Sequence, residues 1–201
     1  MKGIVKIEDS SKIYFTSDMH VNHANIIKFC DRPYASKEEM TEALIHNWNE
    51  TVYPNDTVYI LGDFMWSSSW NQTLSQLNGK KILIWGNHDR KDFRESYLNY
   101  IDEVHDQLTL LIDNKIVYLN HFPFLCFPAG HIQLFGHVHL SLFKNEGSDF
   151  ARCQNLLPNQ YDVGVDLNNF TPVSWNTVKE RIQYQIEHNT NCLHWIYGNK
   201  T

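Results

Sequence analysis

Residues 81–92 read KILIWGNHDRKD. The run Lys81–Trp85 has the length and the β-branched and aromatic content of a strand. Gly86 then allows a tight turn, and Asn87, His88 and Asp89 follow without a spacer. A plain turn calls for Gly and Asn. It gives no reason for His followed by Asp. The stretch therefore reads as a strand that delivers polar side chains to a site, and the fold depends on whether other strands do the same.

They do. Ile13–Thr16 is followed by Ser17, Asp18, Met19 and His20, and Thr57–Leu61 by Gly62 and Asp63. Ile116–Leu119 runs into Asn120 and His121, and Ile132–Phe135 into Gly136, His137, Val138 and His139. A sixth run, Tyr161–Val165, has the same strand character. Helical patterns lie between the runs. Ser36 and Glu39 form a capping box ahead of Met40, Leu44, Ile45 and Trp48, which share one face of a helix to about Glu50. A shorter helix is expected over Ser69–Leu77, stopped by Asn78-Gly79. Another is expected over Pro172–His188, with Val173, Val178, Ile182 and Ile186 at helical spacing. Alternation of strands and helices in the first half implies parallel pairing. Asp113-Asn114 within LTLLIDNKIVYLNH reads as a hairpin turn. The expectation is an α/β fold with mixed sheets, and one domain over residues 1–201, since no repeat, linker or low-complexity tract interrupts the chain.

In open α/β sheets ligands gather beyond the carboxyl ends of the strands. If these strands are neighbours, Asp18, His20, Asp63, Asn87, His121, His137 and His139 converge. Carboxylate, imidazole and amide oxygen without thiolate suit Mn, Fe or Zn in a working site better than a structural zinc site. On extended backbone, Asp18-x-His20 and His137-x-His139 each aim both side chains to one face. Seven ligands exceed one tetrahedral ion and suit two ions about 3.5–4 Å apart that share a carboxylate. Asp63, with two usable oxygens, is the candidate for sharing.

The bulk numbers set limits. The chain has 201 residues and a net charge of −6, which disfavours a broad face for long nucleic acid. Cys30, Cys126, Cys153 and Cys192 are widely spaced without a C-x-x-C, and read as free thiols in a reducing compartment. MKGIVKIEDSSK carries no signal-peptide core, and no apolar run approaches the ~20 residues that span a bilayer. A cytoplasmic protein, of a cell or of a virus-infected cell, is expected, with no membrane partner. Oligomeric state is not legible.

SDMH, GDF, GNHD, NH and GHVH, in this order from Ser17 to His139, resemble the five motifs of the calcineurin-like metallophosphoesterase superfamily. YDVGVDLNNFTPVSW is similar to the closing strand and turn of its small members. The resemblance implies a four-layer α/β/β/α sandwich with a dimetal site. It implies that Asp18, His20, Asp63 and His139 hold one divalent ion, and Asp63, Asn87, His121 and His137 the other, drawn from Mn, Fe, Zn or Ni with Mn favoured. It implies that His88 is no ligand but stabilises the phosphoryl oxygens and protonates the leaving group, oriented by Asp89. A water ionised between the ions would attack phosphorus. A small phosphodiester or nucleotide-type substrate is favoured over a phosphomonoester, including a phosphoprotein. A non-catalytic scaffold of the same fold is the contrasting class. It fits poorly because the side-chain set is complete.

His23, Arg32 and His131 are further candidates for substrate contact, His23 against an N-cap or surface role and Arg32 against a solvated loop residue. Trp66 and Trp70 could stack on a base or pack over the strand, and Arg90 and Lys91 could draw in phosphate. His46, His105, His188 and His194 read as ordinary structural histidines.

Overall fold

The computed structural model describes residues 3–66, 70–89, 95–139 and 153–197. In chain order the elements are β1 (Ile4–Lys6), β2 (Ile13–Thr16), α1 (Ala24–Phe29), α2 (Lys37–Thr51), β3 (Thr57–Ile60), α3 (Trp70–Leu74), β4 (Lys80–Ile84) and β5 (Glu103–His105). There follow β6 (Leu108–Ile112), β7 (Lys115–Leu119), β8 (Ile132–Phe135), β9 (Gln160–Asp162), β10 (Val173–Ser174), α4 (Trp175–Glu187) and α5 (His194–Tyr197).

The strands form two five-stranded mixed sheets, in the orders β10-β2-β3-β4-β5 and β1-β6-β7-β8-β9. In the first, β2 to β5 pair in parallel and β10 runs against β2. In the second, only β6 and β7 are antiparallel. Their turn is the expected hairpin: Asp113 and Asn114 both take positive φ, 48° and 61°, as a two-residue primed turn requires.

Alternation sorts the side chains. Phe15, Tyr59, Leu61, Ile82 and Ile84 from one sheet join Leu110, Val117, Leu119 and Leu134 from the other in one buried cluster between the sheets. Val58, Ile60 and Leu83 face the other way and pack with Met40, Leu44 and Trp48 of α2. The Ser36 hydroxyl accepts from the Glu39 N–H, and the Glu39 carboxylate reaches back to the Ala35 N–H. Such a cap contributes about 1 kcal/mol.

The C-terminal helix is shorter than its pattern suggests. Pro172–Ser174 is extended because Val173 and Ser174 pair with Phe15 and Tyr14 as β10. The buried stripe of α4 is Trp175, Val178, Ile182 and Gln185, and Ile186 is exposed. Gln185 is admitted because its amide donates to the carbonyls of Pro158 and Gln160 and accepts from the Trp195 indole. No helix among the described residues is long and apolar enough to cross a membrane.

Parallel pairing has one consequence for function. β2, β3, β4, β7, β8 and β9 all finish on the same rim, and Ser17 bridges Gly164 there, joining the two sheets.

Candidate functional site

The loops on this rim are knitted by their backbones. Asp18 N–H donates to the Gly62 carbonyl, His20 N–H to the Asp63 carbonyl and Gly136 N–H to the His121 carbonyl. Space is tight. A Cβ on Gly62 would stand 2.6 Å from the His121 Nδ1 and from the Gly86 backbone, and Gly62 has φ +86°. A Cβ on Gly136 would overlap Ser17 Oγ and Asp18 Oδ2. These glycines are there for close approach rather than for turning alone.

Asp18, His20, Asp63, His137 and His139 all lie at positive φ, between 44° and 72°. This corrects the extended-backbone account of the Asp-x-His and His-x-His pairs. Each of these five is aimed by a left-handed kink, a conformation costing on the order of 1 kcal/mol or more per residue that the rest of the fold must offset.

The side chains gather in two groups, Asp18/His20/His139 and Asp63/His121/His137, with ligand atoms within 4.8 Å of one another in each. Asp63 Oδ2 lies 3.7 Å from His20 Nε2 and 3.5 Å from His121 Nε2, and so stands between the groups. Asp63 Oδ1 is taken by the His88 N–H at 2.9 Å. Of the two oxygens, Oδ2 is the one that faces both groups. Asn87 Oδ1 approaches His121 Nε2 at 3.0 Å, which brings it to the second group. His121 donates its Nδ1–H to the Leu61 carbonyl at 2.7 Å and so turns Nε2 inward.

The donor set fits divalent metal ions. Asp18 Oδ2 is satisfied by Ser17 Oγ and the His137 N–H, while the buried Oδ1 has no hydrogen-bond partner, nor has either ring nitrogen of buried His20. Buried polar atoms left so are costly, and a cation between them removes the cost. Burial, with the nearby His139 second, holds the His20 imidazole well below its ordinary range, hence neutral and able to ligate. Burial works to raise the Asp63 carboxyl, but the His121 imidazole beside it outweighs burial and holds Asp63 below the ordinary carboxylate range. A third group, Cys30, His139 and Asp166, is close enough for an ion. It is a hydrogen-bond cluster instead: Arg32 already neutralises Asp166 through both oxygens.

His88 stands beside the shared oxygen, with Nε2 3.8 Å from Asp63 Oδ2. Its ring is one-third exposed and Nδ1 has no hydrogen-bond partner. Asp89 does not orient it. Asp89 is fully buried and accepts the backbone N–H groups of Asp63, Phe64 and Gly86. It pins the third-strand loop to the fourth. Burial, then the charge of Asp63, pushes its carboxyl up to about 6 against those three donors.

The three substrate-contact candidates part ways. His23 is at the site: its ring stacks on Trp66 at 4.2 Å and 11° and lies 5.6 Å from His20, and its side chain makes no cap on α1. Trp66 in turn lies 4.8 Å from His88. Arg32 is only 4% exposed and faces inward. Its guanidinium holds Asp166 by two bonds and the carbonyls of Asp18 and Met19 by two more, so it braces the motif loop and has no donor aimed at the mouth. His131 precedes β8, a strand's length from His137, and bonds the Tyr118 hydroxyl. Arg90, Lys91 and the side chain of Trp70 fall outside the described residues.

Two carboxylates escaped notice in the sequence. Asp166 accepts from His139 Nδ1 at 2.7 Å. Asp162, wholly buried, takes the Gly164 N–H on one oxygen and leaves the other without a partner, and burial and Asp18 push it up to about 7. Both sit in DVGVD, at the end of a sixth strand on the same rim, which was the available signal.

The chain is similar to several known proteins. The chain is 32% identical over 183 residues to the uncharacterized protein MJ1445 of Methanocaldococcus jannaschii, covering 86% of this chain and 92% of that one. It is 29% identical over 191 residues to the gene 66 protein of Mycobacterium phage D29, covering 78% and 88%. The crystal structure of the Aquifex aeolicus protein of unknown function AQ665 superposes with a TM-score of 0.66 at 25% identity, over 84% of this chain and 97% of that one. Residues 11–159, which hold the five motifs from Ser17 to His139, match the calcineurin-like phosphoesterase family, and the chain belongs to it.

Proposed function

We propose that residues 1–201 form one catalytic domain that hydrolyses small phosphodiesters, of nucleotide type, with two divalent ions, manganese foremost. The observation that carries this reading is the position of Asp63 Oδ2 between His20 and His121, which makes one carboxylate common to two ligand sets. Asp18, His20 and His139 would hold one ion, Asn87, His121 and His137 the other, and Asp63 both. Such ions, when bound, acidify a water and neutralise charge that grows on phosphoryl oxygens.

The protein's own part is positional and acid–base. His88, whose ring is one-third exposed beside Asp63 Oδ2, gives its proton to the departing oxygen. His23 and Trp66 wall the side on which that group leaves. Charge −6 supports a small substrate over a polynucleotide. The phage relative is compatible with work inside an infected cell.

The test is hydrolysis of bis-p-nitrophenyl phosphate and p-nitrophenyl phosphate by protein loaded with Mn²⁺, beside the same protein after chelation. Metal-dependent turnover with the diester preferred is expected. Equal turnover after chelation would overturn the reading, and preference for the monoester would overturn its diester part.

A further inference from the structure

Beside His137 opens a cavity of about 420 Å³, walled by Phe122, Phe124, Leu125, Val138 and Leu156. It begins at the ligands: the Phe122 ring lies 4.6 Å from His137 and 4.9 Å from His121. Phe122 is 45% exposed and Leu125 93%. Large apolar side chains left open to water next to a polar centre mark a place where an apolar group is received.

The loop that bears them is fixed. Gln133 of β8 and Gln160 of β9 are fully buried and bonded to each other. Gln133 accepts the Phe124 N–H and donates to the Phe122 carbonyl, and Gln160 donates to the Phe124 carbonyl. Asn120 takes the Phe122 N–H. Two buried amides spent on three backbone groups of one loop keep the wall in place before any ligand arrives, and preorganisation of that kind favours binding.

The opposite flank of the centre is different. His88, Trp66 and His23 lie on the His20 side of Asp63, and His121, His137 and Phe122 on the other. A proton delivered by His88 places the departing group on its own flank. In-line attack sets the attacking oxygen opposite the departing one, so the organic group that stays on phosphorus is carried by an equatorial oxygen, and the cavity at Phe122 is an apolar opening beside the centre for it.

We propose that this cavity is the specificity pocket for the retained group of the diester, and that it takes a flat aromatic or heteroaromatic ring between Phe122 and Leu156. This rests on the phosphoesterase reading and says which diesters are preferred. The volume fits: pockets for organic ligands begin at roughly 300 Å³.

Two diesters with the same leaving group decide it, p-nitrophenyl methyl phosphate and p-nitrophenyl phenyl phosphate, each rate divided by its rate in hydroxide alone. The phenyl ester is expected to have a kcat/KM about 10-fold higher or more, chiefly through KM, as burial of one ring implies. Leu125→Asp, a change at a surface position, and Phe122→Ala should each bring the ratio toward one. A ratio near one in the unaltered protein, or a ratio that survives both substitutions, overturns the pocket. Hydrolysis of neither ester by metal-loaded protein overturns the phosphoesterase reading instead. The pocket is then judged by calorimetry with diphenyl phosphate and dimethyl phosphate, where equal affinity refutes it and tighter diphenyl binding supports it.

Discussion

His139 donates from Nδ1 to Asp166 at 2.7 Å, and Asp166 accepts from Arg32 through both of its oxygens, at 2.8 and 2.9 Å. The bond settles the imidazole tautomer and turns Nε2 toward Asp18 Oδ1, 3.8 Å away. Burial works to raise the Asp166 carboxyl, but Arg32 and His139 overcome it and hold Asp166 at about 2, so it stays ionised. A carboxylate behind a ligating histidine fixes the ring and strengthens it as a donor.

Asp166→Ala should weaken metal binding about 10- to 100-fold. Competition with a fluorescent chelator measures this. Unchanged affinity would mean that packing alone orients His139.

Arg32→Met leaves Asp166 buried with its charge unmatched apart from His139 and should cost about 3–5 kcal/mol of stability. Chemical denaturation reads that loss. In metal-loaded protein that remains folded, KM for a phosphodiester should be unchanged. A raised KM with full stability would restore Arg32 to the substrate.

Asp89→Asn keeps the shape and removes one acceptor. Its NH₂ must then face a backbone N–H of Asp63, Phe64 or Gly86, all of which donate to Asp89. An unsatisfied buried donor costs about 1–3 kcal/mol. Lower thermal stability is expected together with loss of metal, because Asp63 and Asn87 ride on the loops that Asp89 joins. If Asp89 acted only through His88, kcat would fall with stability intact.

His88→Ala removes a ring whose side chain makes no hydrogen bond with Nδ1 and only a 3.8 Å approach through Nε2. A loss of kcat of about 10²- to 10³-fold, with metal content retained, is expected for removal of a general acid. The loss should be smaller for an ester with a leaving group of low pKa, which needs no proton. Metal analysis showing lost ions would make His88 a ligand.

Asp63→Asn preserves an oxygen for the His88 N–H and removes the charge of the oxygen shared by the two ligand sets. Metal content should fall and diester hydrolysis by about 10³-fold or more. Emission spectrometry of dialysed protein gives the first quantity, and a protein still fully loaded would show that Asp63 is dispensable as a ligand.

Strand ends were readable because a buried parallel strand is a nearly continuous apolar run, and a polar residue after it stands out. Thus Asp18, Asp63, Asn87 and His121 could be placed by local pattern. The capping box at Ser36 and the primed turn at Asp113-Asn114 depend on neighbours in the chain and were equally legible. Asp166 was hidden. Its partners Arg32 and His139 are remote in the chain, and an Asp after a Gly-Val reads as a turn residue. Arg32, before a proline, looked like a loop residue for the same reason: four buried acceptors, two of them backbone carbonyls, decide its direction, and none has a sequence signature.

The amino-acid sequence by itself determined the strands that carry the motifs, that they end in carboxylate, imidazole and amide, and hence where a metal-ligating rim was to be expected. Periodicity and residue chemistry are local properties and survive without coordinates. Only the tertiary structure decided what each polar residue faces. It turned Asp89 from His88 to three backbone N–H groups, spent one oxygen of Asp63 on the chain itself, drew Arg32 inside, and set Phe122 beside His137 at the mouth of an apolar cavity. The reason is physical. A buried hydrogen-bonding group must find a partner wherever the fold brings one, and that partner is set by packing between distant segments.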